Sequence, residues 1–132
     1  MIHWNSGSID VVGAKHVNPI PSASRRGPFV VSGAISGADP ETGKVSVDLD
    51  EQCRLMFENV QRVMAAAGGS PDDVVKMTVW ITDRSLREIM NRHWVIMFPH
   101  PQSRPARHTL TSHDFPAPMQ IQCDLMAVLG EG

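Results

Sequence analysis

"VVKMTVWIT", residues 74–82, decides how the rest of the chain is read. Val75, Met77, Val79 and Ile81 alternate with Lys76, Thr78, Trp80 and Thr82, the period-two pattern of a strand with one face in a core. Its flanks have a different period. Upstream, from about Leu49 to Ala67, the residues Leu49, Cys53, Met56, Val60, Val63, Met64 and Ala67 recur every three or four positions and form the apolar stripe of a long helix. Asp48 is placed to cap this helix, with Glu51 completing a capping box, and Gly68-Gly69 stops it. Ser70-Pro71-Asp72-Asp73 reads as a capped helical turn leading into the strand. Downstream, Ser85 and Glu88 predict the capping box of a second helix. Its inner face is Leu86, Ile89, Met90, His93 and Met97, and Pro99 ends it.

Further out, "FVVSGAI" (Phe29–Ile35) is a β-branched run that predicts a buried strand, and Asp39-Pro40-Glu41-Thr42-Gly43 is a turn cluster. Pro99, Pro101 and Pro105 stiffen a loop before a strand at Ala106–Ser112. A last strand, Met119–Leu129, alternates Ile121, Cys123, Leu125, Ala127 and Leu129 against Gln120, Gln122, Asp124, Met126 and Val128. Residues 1–27 are rich in Gly, Ser and Pro; within them Ile9–Ala14 predicts a short strand and Asn18-Pro19-Ile20-Pro21 an extended or turning segment. The order is strands, helix, strand, helix, strands, in one domain spanning residues 1–132. Two helices cannot cover both faces of such a sheet, so they pack on one face in an α+β architecture. Apolar Trp80, Met126 and Val128 fall on the other face, which predicts that a second subunit covers it.

Composition narrows the function. The net charge is −2 over 132 residues, which argues against a nucleic-acid surface. No apolar run is long enough to span a bilayer, and the N-terminus lacks the pattern of a signal peptide. Cys53 and Cys123 fit no metal or redox spacing and fall at apolar positions, so they read as buried free thiols in a reducing, cytoplasmic compartment. The histidines form no metal signature, and His108 and His113 point differently. Ser112-His113-Asp114 is a triad in letters only, because neighbours in an extended chain face opposite ways. No metal and no cofactor are expected.

One residue has a sharper reading. In "SRPARHT" (residues 103–109), Arg107 lies just inside a strand, two residues after a proline, with no acidic residue close by in sequence. A guanidinium held this way matches a carboxylate bidentately, although a surface or inter-subunit ion pair is the commoner use of such a residue. Arg104, in the loop proper, is more open to that plain reading. Gln122 and Asp124 share one face of the last strand, either as a polar strip or as groups that handle water beside a substrate. Ser32-Gly33 and Ser36-Gly37 flank a strand end, where glycine permits close approach of a ligand or simply a turn.

The block "SGAISGADPETGKVSVDLDEQCRLMFENVQRVMAAAGGSPDDVVKMTVWITD", followed by "RPARHT", resembles the Rid/YjgF family of small deaminases over about residues 28–129. The matching features are the SG-x-I strand end, the DP-x-TG turn, the AG-x-x-x-x-DVVK-x-x-V strand and the P-A-R block. The resemblance implies a chorismate-mutase-like α+β fold, with a mixed β-sheet and two helices on one face. It also implies a homotrimer with sites between subunits, and hydrolysis of enamine or imine acids to keto acids and ammonia. Position by position, it implies that Arg107 grips the substrate carboxylate. Ser32 and Gly33 line the pocket, Asn91 and Trp94 stand at the cleft, and the backbone of Thr109 meets the substrate. Gln122 stands where active members carry a glutamate that positions or activates water. The N-terminal "NPIPSAS" lacks the tyrosine that the family normally supplies there.

The expected activity is therefore a 2-imino acid deaminase in which Arg107 and Gln122 form the reacting centre. Loss of the glutamate keeps two alternatives open: a non-catalytic trimer that binds small carboxylates, and a hydrolase for a different catabolic substrate. His108 and Asp124 are the remaining candidates for proton transfer. RNA cleavage, the activity behind the family's endoribonuclease L-PSP label, is disfavoured by the acidic balance.

Overall fold

The computed structural model describes residues 6–11 and 19–130. Its elements in chain order are β1 (Gly7–Ile9), β2 (Ala23–Arg26), β3 (Phe29–Ser32), β4 (Ile35–Ser36), α1 (Leu49–Ala66), β5 (Val74–Ile81), α2 (Leu86–Met97), β6 (Ala106–Thr111) and β7 (Ile121–Val128). The sheet runs β1-β2-β3-β7-β5-β6, with β4 also pairing β7. Among the described strands only β5 and β6 pair in parallel, joined by α2 as the crossover that parallel neighbours need. The sheet is therefore mixed, and both helices lie on one face of it, as the period change around Val74–Thr82 implied.

The core is the layer between helices and sheet. Val30, Met77, Val79, Ile81, Ile121, Cys123, Leu125 and Ala127 pack beneath Met56, Val60 and Met64 of α1 and Leu86, Met90 and Trp94 of α2. The opposite face keeps Phe29, Val31, Leu110 and Val128 each more than 40% exposed, an apolar strip broader than sequence alone indicated.

Several boundaries differ from the sequence expectations, each for a local reason. Phe29–Ile35 is not one strand: β3 ends at Ser32 and β4 begins at Ile35. Val75 does not share the core face with Met77. The β5–β7 register shifts between Val74 and Lys76, so Val74 turns inward and Val75 is left exposed. Asp48 caps α1 by accepting from the N–H of Asp50, but Glu51 pairs with Arg54 in place of closing a capping box. Ser85 makes no side-chain cap on α2; the Asp83 carboxylate accepts from its N–H instead. The box at Ser70–Asp73 is complete. β1 and β2 lie in the segment that sequence reading left largely open. Of the predicted strand Ile9–Ala14, Ile9 ends β1, while residues 12–18 lie outside the described region, Asn18 among them.

One contact sets the spacing of α1 against the sheet edge. Gly37 lies directly on the backbone of Gln52, where an added Cβ would overlap the carbonyl oxygen and sit 2.8 Å from the carbonyl carbon. Gln52 is fully buried. Its Nε2 donates to the carbonyls of Ser46 (2.6 Å) and Pro118 (2.9 Å), and its Oε1 accepts from the N–H of Gln120 (2.9 Å). One amide thus ties the loop before α1 to the segment that launches β7. Another tie joins the helices: His93 of α2 lies 2.8 Å from Asp50 of α1 and stacks on Phe57.

Candidate functional site

Arg107 occupies the second position of β6, an edge strand. Its partner across the β5–β6 ladder is Met77, so its side chain is on the helix side of the sheet. There it meets α2. Its Nη1 lies 3.2 Å from the thioether sulfur of Met90, and its guanidinium carbon stands 4.8 Å from the centroid of the Trp94 ring. Trp94 is held in turn by Phe98, with ring centroids 4.7 Å apart. A thioether is a weak acceptor and a ring face is a cation platform. Neither satisfies the forked donors of a guanidinium.

No ion pair among the described residues involves Arg107. Burial lowers its pKa, and the positive charge of Arg87 adds to that effect. A half-buried cation in this state gains more than an exposed one from meeting an anion, because less water competes. Arg104 has the plain structural role: its Nε donates to the carbonyl of Phe98 at 2.8 Å, closing the loop after α2.

Trp94, expected to stand at the cleft, is a buried core residue whose ring lies under the Arg107 guanidinium, a packing its helix position did not predict. Asn91 is half-buried and follows Met90 on α2, bordering an open groove with Arg84, Ser85, Arg87, Glu88, Arg92 and Val95. Thr109 shares the helix-side register of β6 with Arg107, opposite Val79. Of these residues, Trp94 touches Arg107 directly, Thr109 shares its side of β6, and Asn91 lies on the flank of α2 that borders the groove.

The other expected site residues lie elsewhere in the chain. Gln122 pairs across β5 with Trp80 and across β4 with Ser36, on the open face of the sheet. Arg107 and Gln122 therefore point to opposite faces, with β5 between their strands, and do not converge within one chain. The cause is strand alternation: Arg107 is in register with Met77 and Gln122 with the next residue but two, Trp80. Ser32 is buried, and its hydroxyl accepts from the N–H of Leu125 (2.9 Å) and donates to the carbonyl of Gly33 (2.8 Å). The N–H of Gly33 donates to the carbonyl of Ser22 at 3.0 Å. Asp124 accepts from the indole N–H of Trp80 at 3.0 Å.

Two residues of the Arg107 cluster had escaped notice as site residues. Met90 had read only as core. Arg87 lies four residues before Asn91 and seven before Trp94, a helical spacing that marks one flank and that the sequence already displayed. Among the described residues, no group of three or more His, Cys, Asp or Glu side chains stands close enough to hold a metal, and no helix is long and apolar enough to cross a membrane.

This arrangement meets its relatives in comparison with known proteins. Residues 18–129 match the family described as Endoribonuclease L-PSP. The chain belongs to that family, the Rid/YjgF family. TdcF of Escherichia coli K12 is 33% identical over 90 residues, 67% of this chain and 70% of that protein. The 2-iminobutanoate/2-iminopropanoate deaminase of Salmonella typhimurium is 29% identical over 113 residues, 85% of this chain and 88% of that one. Among solved structures, E. coli TdcF with bound serine superposes with a TM-score of 0.85 at 28% identity, covering 93% of this chain and 98% of that one. As a Rid-family member, this chain shares with TdcF the α+β arrangement of two helices on a mixed sheet.

Proposed function

We propose that the protein is a 2-imino acid deaminase acting as a homotrimer, with each site built between two subunits. The observation that carries this is Arg107: charged, half-buried, laid on Trp94 and without a carboxylate partner among the described residues. Two relatives support the reading. One is named for 2-imino acid deamination, and the other was solved with serine, whose carboxylate is the group Arg107 is built to grip. The exposed strip of Phe29, Val31, Leu110 and Val128 supports association through the open sheet face of the chorismate-mutase-like fold. In this reading a second subunit supplies the Gly33 and Gln122 side of the site to Arg107 and Thr109 of the first, so the separation within one chain is what a shared site requires. The two buried thiols, Cys53 and Cys123, fit a reducing compartment such as the cytoplasm.

In this reading the α-carboxylate sits bidentately on Arg107, which orients the C=N carbon toward one water. The water oxygen bonds to that carbon while the imine nitrogen takes a proton. The C–N bond of the tetrahedral carbinolamine then breaks as its hydroxyl proton passes to the departing nitrogen, releasing ammonia and leaving the keto acid. Gln122 orients the water by hydrogen bonding; an amide takes up no proton, so the acceleration comes from positioning and from the electrophilicity of the imine itself.

The test is Arg107→Ala, assayed by generating 2-iminopropanoate with an amino-acid oxidase and following ammonia and keto-acid release. We expect a loss of at least about 10²-fold, the scale of removing a charge-assisted bidentate contact, with the oligomer intact by light scattering. An unchanged rate would remove the clamp from this account. The Gln122 substitution favours one second reading, a carboxylate-binding trimer without turnover. Tight carboxylate binding alongside a flat ammonia trace would establish it.

A further inference from the structure

The flank of α2 that holds Arg107 continues beyond Met90. Because α2 is the crossover between two parallel strands, it runs antiparallel to β6. From Trp94 and Met90, which touch Arg107, the flank passes Asn91 and reaches Arg87 toward the start of the helix. At 1.5 Å per residue, the Cα of Arg87 lies about 4.5 Å beyond Met90 and about 10 Å beyond Trp94 along the axis. β6 runs the same way, from Arg107 through Thr109 to Thr111 on its helix side. The edge thus carries one guanidinium at Arg107 and a second on the next turns of α2 at Arg87, with Thr109 alongside on the strand.

Arg87 is exposed and, like Arg107, takes part in no ion pair among the described residues. The two cations are close enough for the charge of Arg87 to lower the pKa of Arg107. Two unneutralised arginines at one edge repel each other, so an anion spanning both gains twice. It meets a guanidinium fork at each end and relieves the repulsion.

We infer that Arg87 is a specificity-determining second anion contact and that the substrate class is 2-imino dicarboxylates. The α-carboxylate lies on Arg107 and the distal carboxylate reaches Arg87 across Thr109. A monocarboxylate uses only the first contact. The catalytic part of this inference rests on the imine-hydrolase reading; the binding part stands apart from it.

Isothermal titration of glutarate and butyrate, which cannot react, is performed on wild type, Arg87→Gln and Arg92→Gln. Arg92 belongs to the same helix and controls for loss of a positive charge. We expect wild type and Arg92→Gln to bind glutarate at least about tenfold more tightly than butyrate, and Arg87→Gln to bring the two within about threefold. A glutarate preference that is missing from wild type, or that survives Arg87→Gln, overturns the inference. In parallel, the kcat/KM ratio of 2-iminoglutarate to 2-iminopropanoate is measured for the same proteins, and we expect Arg87→Gln to lower it about tenfold. If both imines are hydrolysed and that ratio does not move, this inference fails and the hydrolase reading stands. If neither is hydrolysed while the binding preference appears and is lost in Arg87→Gln, the hydrolase reading fails and the dicarboxylate site stands.

Discussion

Replacing Gln52 by leucine isolates one polar device in the fold. The side chains have similar volumes, so the substitution leaves little cavity, but it deletes three hydrogen bonds at a fully buried position. The carbonyls of Ser46 and Pro118 and the N–H of Gln120 lose their partner. A buried group stranded in this way costs about 1–3 kcal/mol. Ser46 and Gln120 are half-buried and Pro118 is exposed, so water recovers part of the loss and the gross cost is about 3–5 kcal/mol. Leucine returns roughly 1 kcal/mol by removing a buried amide, leaving a net destabilisation of about 2–4 kcal/mol. For a chain of 132 residues this lowers the melting temperature by about 7–14 °C. The assay is urea unfolding at one fixed chain concentration, because association stabilises by mass action, with the denaturant slope checked for constancy. Gln52→Glu serves as the companion. It sets a carboxyl oxygen against the Ser46 and Pro118 carbonyls and is expected to be at least as damaging. A Gln52→Leu protein within about 0.5 kcal/mol of wild type would show that those backbone groups find other partners and that the bonds hold nothing together.

Gln122→Glu restores a titratable group at the open-face position of β7; if water activation limits the rate, kcat rises about tenfold or more and the pH–rate profile gains an acid limb absent from wild type. Gly37→Ala forces α1 off its contact at Gln52, and unfolding titration should show a loss of about 2 kcal/mol or more, whereas Gly43→Ala, with open space around it, costs only the strain of its φ of 75°. Burial pushes the Cys53 thiol up to about 11 and raises that of Cys123 as well, so at pH 8 about one Cys53 in a thousand is ionised. An aromatic disulfide reagent should therefore leave both thiols unmodified in the folded protein and titrate two on unfolding; rapid labelling of the native form would contradict their burial.

The sequence by itself determined the layers. Period-two and period-3.6 patterns are set by which side chains must leave water, so Val74–Thr82 between two amphipathic helices already implied helices on one face of a sheet. It also marked Arg107, because a guanidinium beside a rigid Pro-Ala step with no acidic neighbour is legible in a line of letters. Trp94 and Asn91 were named for the cleft, but the facing of Trp94 into the core was not, since tertiary packing chose which side of α2 turned inward. Strand pairing and register, which depend on residues far apart in the chain, were decided only in three dimensions. The bulge that turned Val75 outward, the break between β3 and β4, and the placing of Gln122 on the face opposite Arg107 all arise there. So does the proximity of Arg87 to Arg107. A helix spacing puts Arg87, Asn91 and Trp94 on one flank, but only the packing of α2 against the edge strand turns that flank toward a second guanidinium.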